Sequence, residues 1–208
     1  MKNFLCIDTS SKYMTVLLYK DGAWHVAHDE DCNLTHSVKL MPAIDELVKR
    51  TGGELKDLDF FGCVVGAGSF TGIRIGVATV KGFCLAYQKP ALSITSFDLM
   101  AYTEKGVRDG KFVALIDALH GYYYAMAYEN KTVTLVPSYI SESEVKKFLD
   151  NGYTAYGVED LPLPYPYEKV SAVEGLKNAT QNKQGQYGSL EPLYIRKSQA
   201  EIEREQRQ

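Results

Sequence analysis

The sequence predicts an α/β protein in which one unit, three strands followed by a helix and a further strand, occurs twice. Each half opens with a short apolar run that ends in an aspartate, Asp8 in the first half and Asp117 in the second. The same spacing separates two pairs of tyrosines, Tyr13 from Tyr122 and Tyr19 from Tyr128. A spacing that recurs at several anchors indicates an internal duplication. We therefore expect a first domain over residues 1–105 and a second domain over residues 106–208.

The first unit is expected to begin with three antiparallel strands, of which the second and third are joined by an Asp21-Gly22 turn. A helix follows from Leu34 to Arg50, where apolar residues recur at helical spacing. The remaining predicted elements are a strand from about Asp59, a helix from Thr71 to Tyr87, a strand from Ala91 to Thr95 and a helix from Ser96 to about Lys105.

The second unit repeats this order up to its fourth strand. Its predicted elements are strands ending at Asp117, starting at Tyr122 and running from Thr132 to Val136, a helix from Ser141 to Leu149, and a strand from Thr154 to Gly157. The proline-rich run from Leu161 to Pro166 offers few amide donors and resists helix formation. We therefore expect a truncated second copy, followed by a solvated or frayed helix over residues 199–208.

Residues 66–76 join a strand to a helix and contain four glycines, at positions 66, 68, 72 and 76. Free amides and the positive end of the helix dipole favour an anion at such a turn, with Ser69 or Thr71 as the N-cap. The alternative is a tight turn without a ligand. A turn does not explain Gly72 and Gly76, which lie inside the helix at a cost of about 1 kcal/mol each relative to alanine. Glycines four residues apart share one helix face, so the segment also indicates close packing against another backbone.

Composition gives no sign of a nucleic-acid, metal or membrane protein. A net charge of −3 and a pI near 5.8 provide no overall attraction to RNA, so an RNA contact is expected to need a partner or a local patch. The four cysteines are scattered without a Cys-x-x-Cys pair, which disfavours a zinc site and a disulfide framework. The first apolar run stops at Asp8, and no window approaches the ~20 apolar residues of a membrane span. We expect a cytoplasmic protein.

Paired three-strand units with an aspartate after the first strand resemble the actin, Hsp70 and sugar-kinase superfamily, and within it the TsaB (YeaZ) family. The residues that carry the resemblance span nearly the whole chain: Asp8-Thr9-Ser10, His36-Ser37-x-x-Leu40-x-Pro42-x-Ile44, Gly66 to Gly82, Leu115 to Ala118, and Glu191-Pro192-Leu193-Tyr194-x-Arg196-Lys197. One departure is Ala67, where the family usually has proline. The resemblance implies a duplicated actin-like, ribonuclease H-like fold whose aspartate hairpins face each other across a cleft.

The resemblance also implies that this cleft is a vestigial nucleotide site, formed by Asp8, Thr9, Ser10, Gly66, Gly68, Ser69 and Asp117. TsaD, the catalytic relative, has a metal-binding His-x-Glu-x-His where this chain reads Ser96-Phe97-Asp98-Leu99-Met100. A serine and a thioether do not replace two imidazoles as metal ligands. We therefore expect no metal and no cofactor beyond a weakly bound nucleotide. In a plainer interpretation, both aspartates only end strands and accept hydrogen bonds from turn amides.

As a member of this family, the chain is expected to be a non-catalytic subunit that binds TsaD in the synthesis of N6-threonylcarbamoyladenosine (t6A) at adenosine 37 of tRNA. TsaE and tRNA would join through that complex, and the chain alone would form a homodimer. The two long helices of the first domain are expected to pair with equivalent helices of the partner. Small outward-facing residues would allow this packing, namely Gly72, Gly76 and Gly82 with Ala78 and Ala86. The expected contact residues are His36, Leu40, Ile44, Gly72, Ile73, Gly76 and Val80.

The alternative hypothesis is an ATP-dependent phosphoryl or carbamoyl transferase that uses Asp8 and Asp117. A metallopeptidase is disfavoured because the histidine ligands are missing. Two further features stay open at this point. Arg74 either contacts a carboxylate ligand or partner, or forms a pair within its own domain. Tyr122 to Tyr124 form either a contact patch or a strand with both faces covered.

Overall fold

Two five-stranded sheets make up most of the structure, a computed structural model that describes residues 2–32 and 35–196. The strands of the first sheet are β1 (Phe4–Asp8), β2 (Met14–Lys20), β3 (Ala23–Asp29), β4 (Phe60–Val64) and β5 (Ala91–Ile94). They pair in the order β3-β2-β1-β4-β5, with the first three antiparallel and β1, β4 and β5 parallel. The helices of this unit are α1 (His36–Arg50), α2 (Phe70–Tyr87) and the short α3 (Asp98–Ala101).

The second sheet has the same topology. After a small hairpin of β6 (Tyr102–Thr103) and β7 (Gly106–Val107), its strands are β8 (Lys111–Asp117), β9 (Tyr122–Glu129), β10 (Thr132–Ser141), β11 (Thr154–Gly157) and β12 (Glu168–Lys169). They pair in the order β10-β9-β8-β11-β12. The helices of this unit are α4 (Glu142–Asp150) and α5 (Ala172–Lys183). The matching order confirms the predicted duplicated α/β fold.

The second unit is the truncated one, as predicted. Residues 158–167 run from β11 toward β12 without a helix, whereas α2 fills the equivalent place in the first unit. The proline-rich run is held against the sheet, since the hydroxyl of Tyr123 donates to the carbonyl of Pro162 at 2.8 Å. Leu161 is buried in an apolar cluster on the face of the second sheet that carries α4, here called the outer core of the second unit.

The two units share one apolar core, which lies between the inner faces of the sheets. Side chains alternate along β1: Phe4 and Cys6 point into this shared core, and Leu5 and Ile7 point to the outer core under α1 and α2. Three further residues of the second sheet, Phe112, Ala114 and Ile116, face the shared core from the opposite side.

Helix α5 is an element that the sequence analysis missed. It begins with Ser171 as the N-cap, whose hydroxyl accepts from the amide of Glu174, and it buries Leu176 and Ala179 in the shared core. It packs against α3 and the first sheet although it comes from the second half of the chain. An ion pair of 2.7 Å between Lys183 and Asp98 joins α5 to α3. The N-cap and the apolar spacing were readable in the sequence.

Other element boundaries also differ from the prediction. The helix expected from Ser96 to Lys105 is wrong beyond its first turn, because α3 ends at Ala101 and the β6–β7 hairpin follows. Gly106 closes that hairpin with φ of +104°, which a helix does not allow. Strand β10 continues past Val136 to Ser141. Leu34 and the tail over residues 197–208 lie outside the described residues. Within the described chain, every helix is too short or too polar to cross a membrane.

The register of the two hairpins corrects the alignment of the aspartates. Asp8 lies opposite Thr15 on β2, but the counterpart of Thr15 is Tyr124, which lies opposite Ile116 on β8. Ile116 therefore occupies the position of Asp8. Asp117 comes one residue later, where its side chain points the other way. The constant spacing seen in the sequence holds for the second strand of each hairpin and not for the first.

Candidate functional site

A cleft of about 650 Å³ opens between the two units, at the carboxyl ends of β1, β4, β8 and β11. Four of the predicted cleft residues line it: Ser10, Gly68, Ser69 and Asp117. The other three, Asp8, Thr9 and Gly66, are buried behind its wall. The structure adds lining residues that the sequence analysis did not single out for the cleft, namely Lys12, Phe70, Tyr124, Glu159, Asp160 and Arg196.

Asp8 is a structural carboxylate within the wall. It has no exposed surface, and its Oδ1 accepts from the amide of Ser10 at 2.8 Å and from the hydroxyl of Ser10 at 2.7 Å. Burial raises the pKa of Asp8, and the two bonds from Ser10 oppose that rise. Asp8 is therefore a poor candidate for a charged ligand group at the cleft surface.

The glycine-rich segment is docked on the β1–β2 turn. The amide of Ser69 donates to the carbonyl of Ser10 at 2.7 Å. A Cβ at Gly68 would overlap that same carbonyl, so the close approach requires glycine there. Of the two N-caps that the sequence predicted, Ser69 and Thr71, the structure has Ser69, whose hydroxyl accepts from the amide of Gly72 at 3.2 Å. The amide of Ser69 is thus engaged by the protein itself.

Ser96 and Asp98 occupy the positions where the TsaD-like metal motif would lie. The hydroxyl of Ser96 contacts the carbonyl of Ala67 at 2.6 Å and the hydroxyl of Ser10 at 3.2 Å. Asp98 accepts from the amide of Thr95 at 2.6 Å and pairs with Lys183. Among the described residues, no three His, Cys, Asp or Glu side chains are placed to hold a metal ion.

The charged groups of the cleft are of mixed sign. Asp117 ends β8 and accepts from the amide of Leu119 at 2.8 Å, which is the role that the plainer interpretation gave it. Burial raises the pKa of Glu159, and the charge of Lys12 partly opposes it. Lys12 lies 3.8 Å from Asp160 in an exposed ion pair. Arg196 donates to the hydroxyl of Tyr139 at 3.3 Å and lies over its ring.

Gly72 and Gly76 point inward, and the expectation that these two glycines face a partner is wrong. A Cβ at Gly72 would overlap the carbonyl of Thr9, and a Cβ at Gly76 would lie 2.6 Å from the hydroxyl of Thr9. The hydroxyl of Thr9 donates to the carbonyl of Gly72 at 2.7 Å. The two glycines therefore allow α2 to approach the end of β1 within the same unit.

The other expected contact residues are also buried inside the first unit. His36 bonds through Nε2 to the carbonyl of Tyr13 at 3.0 Å. The remaining four lie in the outer core, namely Leu40, Ile44, Ile73 and Val80. These residues lie on the face of each helix that covers the sheet.

The opposite face of the same helices carries exposed apolar groups. Val38 is 72% exposed and Met41 is 48% exposed on α1, and Leu85 is 84% exposed on α2. Ala78 and Gly82 lie beside Leu85 on this face, and a Cβ at Gly82 would meet no other atom. We call Val38, Met41, Ala78, Gly82 and Leu85 the partner face.

The segment of residues 190–196, here called the strap, runs beside α2. Leu190 is buried, and the amide of Leu193 donates to the carbonyl of Val65 at 2.7 Å. Arg74 donates through Nε to the hydroxyl of Tyr194 at 2.9 Å, so it pairs within the chain. The strap coincides with the carboxyl-terminal motif seen in the sequence, whose role was not predicted.

The three consecutive tyrosines divide between the two faces of β9. Tyr123 is buried in the outer core and Tyr124 in the shared core, which agrees with a strand covered on both sides. Tyr122 is 41% exposed and stacks on Tyr139, with ring centroids 4.6 Å apart.

The comparisons with known proteins agree on one family. The family model described as TsaD, tRNA N6-adenosine threonylcarbamoyltransferase, matches residues 28–155. The tRNA threonylcarbamoyladenosine biosynthesis protein TsaB of Escherichia coli (strain K12) is 30% identical over 128 residues, which cover 60% of this chain and 54% of that protein. TsaB of Buchnera aphidicola subsp. Acyrthosiphon pisum is 28% identical over 149 residues, covering 70% of this chain and 66% of that protein. The chain thus spans about half to two thirds of the length of these curated relatives.

Solved structures agree on the fold. YeaZ from Pseudomonas aeruginosa superposes with a TM-score of 0.71 at 22% identity, covering 93% of this chain and 100% of that chain. A second structure from the same organism, described as an uncharacterized protein with similarity to peptidase YeaZ, gives 0.74 at 22% identity and covers 94% of this chain and 100% of its own. Likeness at this identity establishes a common architecture.

Proposed function

Since the chain belongs to the TsaB (YeaZ) family of the glycoprotease-like branch, we propose that it is a non-catalytic subunit that binds a TsaD-type protein in the synthesis of t6A in tRNA. The observation that carries the proposal is the partner face. Leu85, Val38 and Met41 are exposed on two adjacent helices. Exposed apolar groups on adjacent elements are typical of a protein–protein contact.

The family model supports the choice of partner. It describes TsaD and matches residues 28–155 of this chain, a range that includes α1 and α2. A TsaD-type protein therefore has equivalent helices, and two similar faces can pair about a pseudo-twofold axis. In the absence of that partner, the same face would pair with a second copy of the chain. We place the complex in the cytoplasm, with TsaE and tRNA joining after TsaD.

The non-catalytic part of the proposal rests on how the cleft groups are engaged. The hydroxyl of Ser10 bonds to Asp8, and the carboxylate of Asp117 bonds to a turn amide. The amide of Ser69 bonds to the carbonyl of Ser10. These hydrogen bonds give each group a role in holding a turn, which accounts for its presence without a catalytic role.

We test the proposal by measuring binding to purified TsaD with isothermal calorimetry and size exclusion with light scattering. Leu85→Arg places a charge in the partner face and should weaken the heterodimer about tenfold or more. The matched control is Val136→Arg on β10, which is 67% exposed and lies outside the partner face. Equal affinity for the Leu85→Arg variant and the parent, or no heterodimer with the parent, would contradict the proposal.

An ATP-dependent transferase remains the second candidate, because the cleft of about 650 Å³ is in the size range of small-ligand sites. Titration of the chain with Mg-ATP separates the two hypotheses. A transferase should bind at micromolar to millimolar concentration, and the subunit proposed here should show at most weak binding.

A further inference from the structure

The strap places an aromatic and a cationic side chain in one fixed pair beside α2. The ring of Tyr194 stacks on Phe70 with centroids 4.7 Å apart and planes 14° apart. Arg74 donates to the hydroxyl of Tyr194, and its guanidinium lies 5.5 Å from the Tyr194 centroid and 5.8 Å from the Phe70 centroid. Tyr194 is nonetheless 40% exposed, and Arg74 is exposed.

The strap is anchored on the amino-terminal side of Tyr194. The amide of Leu193 donates to the carbonyl of Val65, the residue that follows β4, and a Cβ at Gly66 would lie 2.9 Å from the carbonyl oxygen of Leu193. Glu191 forms an ion pair of 3.5 Å with Lys81 of α2. The strap therefore runs antiparallel to α2, with Glu191 beside the middle of the helix and Tyr194 beside its first turn.

Arg74 lies on the same side of α2 as the partner face. Arg74, Ala78 and Leu85 are spaced by four and seven residues, which brings them onto one side of a helix. The surface that begins with Leu85 thus continues through Ala78 to Arg74 and onto Tyr194. Because the surface is continuous, a protein that binds the partner face on α2 would also cover Arg74 and Tyr194.

We propose that Tyr194 and Arg74 form a second anchor of the partner face and contact the TsaD-type subunit; this rests on the proposed function. Tyrosine and arginine are among the side chains whose truncation costs most in protein interfaces. Both are held by the stack and the hydrogen bond before a partner arrives, so little rotamer freedom is lost on binding. The partner is expected to present an apolar side chain to the tyrosine ring and a carboxylate or carbonyl oxygen to the guanidinium.

The test compares Tyr194→Ala with Tyr122→Ala in binding to TsaD. Tyr122 is a matched control because it is also stacked on an aromatic ring and is 41% exposed, but it lies on the second sheet. We expect Tyr194→Ala to weaken the heterodimer about tenfold or more, with Tyr122→Ala within twofold of the parent. Tyr194→Phe keeps the ring, loses the bond from Arg74, and should fall between the parent and Tyr194→Ala.

Each outcome has one meaning. If Leu85→Arg weakens the heterodimer and Tyr194→Ala does not, the second anchor is wrong and the proposed function stands. If the parent does not bind TsaD, the proposed function is wrong, and the second anchor is wrong with it. If Tyr194→Ala weakens only self-association of the chain, the occupant is a second copy and the inference is overturned. Should Tyr194→Ala fail to fold by circular dichroism, Tyr194→Phe and Arg74→Gln decide, and parental affinity in both overturns it.

Discussion

The structure gives Asp8 a different role from the one that its sequence motif suggests. In the sequence it looks like the phosphate-side carboxylate of a cleft, and in the structure it is fully buried and holds the β1–β2 turn through Ser10. Its raised pKa follows from burial. A carboxyl group in this position stabilises the fold best when it is protonated.

The substitution Asp8→Asn should therefore raise stability at neutral pH. An acid whose pKa is higher in the folded state than in the unfolded state contributes fully below the unfolded value, near 3.9, and loses that contribution as pH rises through the folded value. Asparagine keeps an oxygen to accept both bonds from Ser10 and carries no charge. Thermal unfolding between pH 3.5 and 8 should show a difference from the parent that is present at pH 7 and fades in acid.

The control for this experiment is Asp45→Asn, an exposed residue of α1 paired with Lys49. It should change stability by less than about 1 kcal/mol, with little dependence on pH. A parent that is more stable than Asp8→Asn at every pH would rule out this account of the carboxyl group.

Gly72 offers a second prediction at the level of one atom. Alanine at this position should destabilise the protein by about 1–3 kcal/mol, because the added methyl overlaps the carbonyl of Thr9 and α2 must move. Gly82→Ala is the matched control on the same helix, since its methyl meets no atom. That change should stabilise by up to about 1 kcal/mol. Chemical denaturation of both variants measures the difference, and equal effects would contradict the packing argument.

At the scale of elements, α2 packs within the first unit and α5 joins the second unit to the first. Helix α2 packs tightly on β1 through its glycines and leaves its other side exposed. Helix α5 crosses from the second unit to the first and packs on α3. The ion pair of Asp98 and Lys183 lies at this crossing, with side chains that are mostly buried.

Lys183→Met should weaken the docking of α5. Asp98 would lose a charged partner inside the protein, at a cost of about 1.5–3 kcal/mol. The double variant Asp98→Asn with Lys183→Met removes both charges and should recover part of this loss. Lys49→Met breaks an exposed pair with Asp45 and should cost less than about 1 kcal/mol. Urea unfolding of the three variants provides the comparison, and a Lys183→Met variant as stable as the parent would disprove a stabilising role.

At the scale of the whole molecule, the shared core fixes the two units around a cleft whose polar groups support the turns that form it. In the proposed role, the chain acts through its outer surface. The cleft of about 650 Å³ is then a remnant of the common architecture.

This view predicts that Asp117→Asn leaves t6A formation unchanged. With TsaD and TsaE present and the subunits at saturating concentration, incorporation of labelled threonine into tRNA should stay within about twofold of the parent. A loss of tenfold or more, with the heterodimer intact, would mean that the cleft takes part in chemistry. Leu85→Arg serves as the opposite control, since at subsaturating concentration it should lower incorporation through loss of the complex.

Much of the architecture was predictable because it depends on local patterns. Short apolar runs and turn residues indicated the strands, helical spacing indicated α1, and prolines excluded a helix after β11. Ser69 was predictable as an N-cap because the cap is a contact within four residues. Helix α5 was readable from Ser171 as its N-cap and from its apolar spacing.

The outward or inward direction of Gly72 and Gly76 could not be read from the sequence. A row of small residues on a helix fits a second protein as well as it fits a strand of the same chain. Thr9 decides between them, and it is distant along the chain. The same holds for Asp117, whose direction depends on one residue of register in the hairpin.

The sequence by itself determined the duplicated α/β order, the truncation of the second unit and the family. Each of these depends on residue spacing and composition, which need no knowledge of distant contacts. Only the tertiary structure decided which face of α1 and α2 is exposed, that Asp8 is buried, and that the strap lies on α2 beside Arg74. These features arise from contacts between residues far apart in the chain, and their free energies depend on burial and distance that appear only after folding.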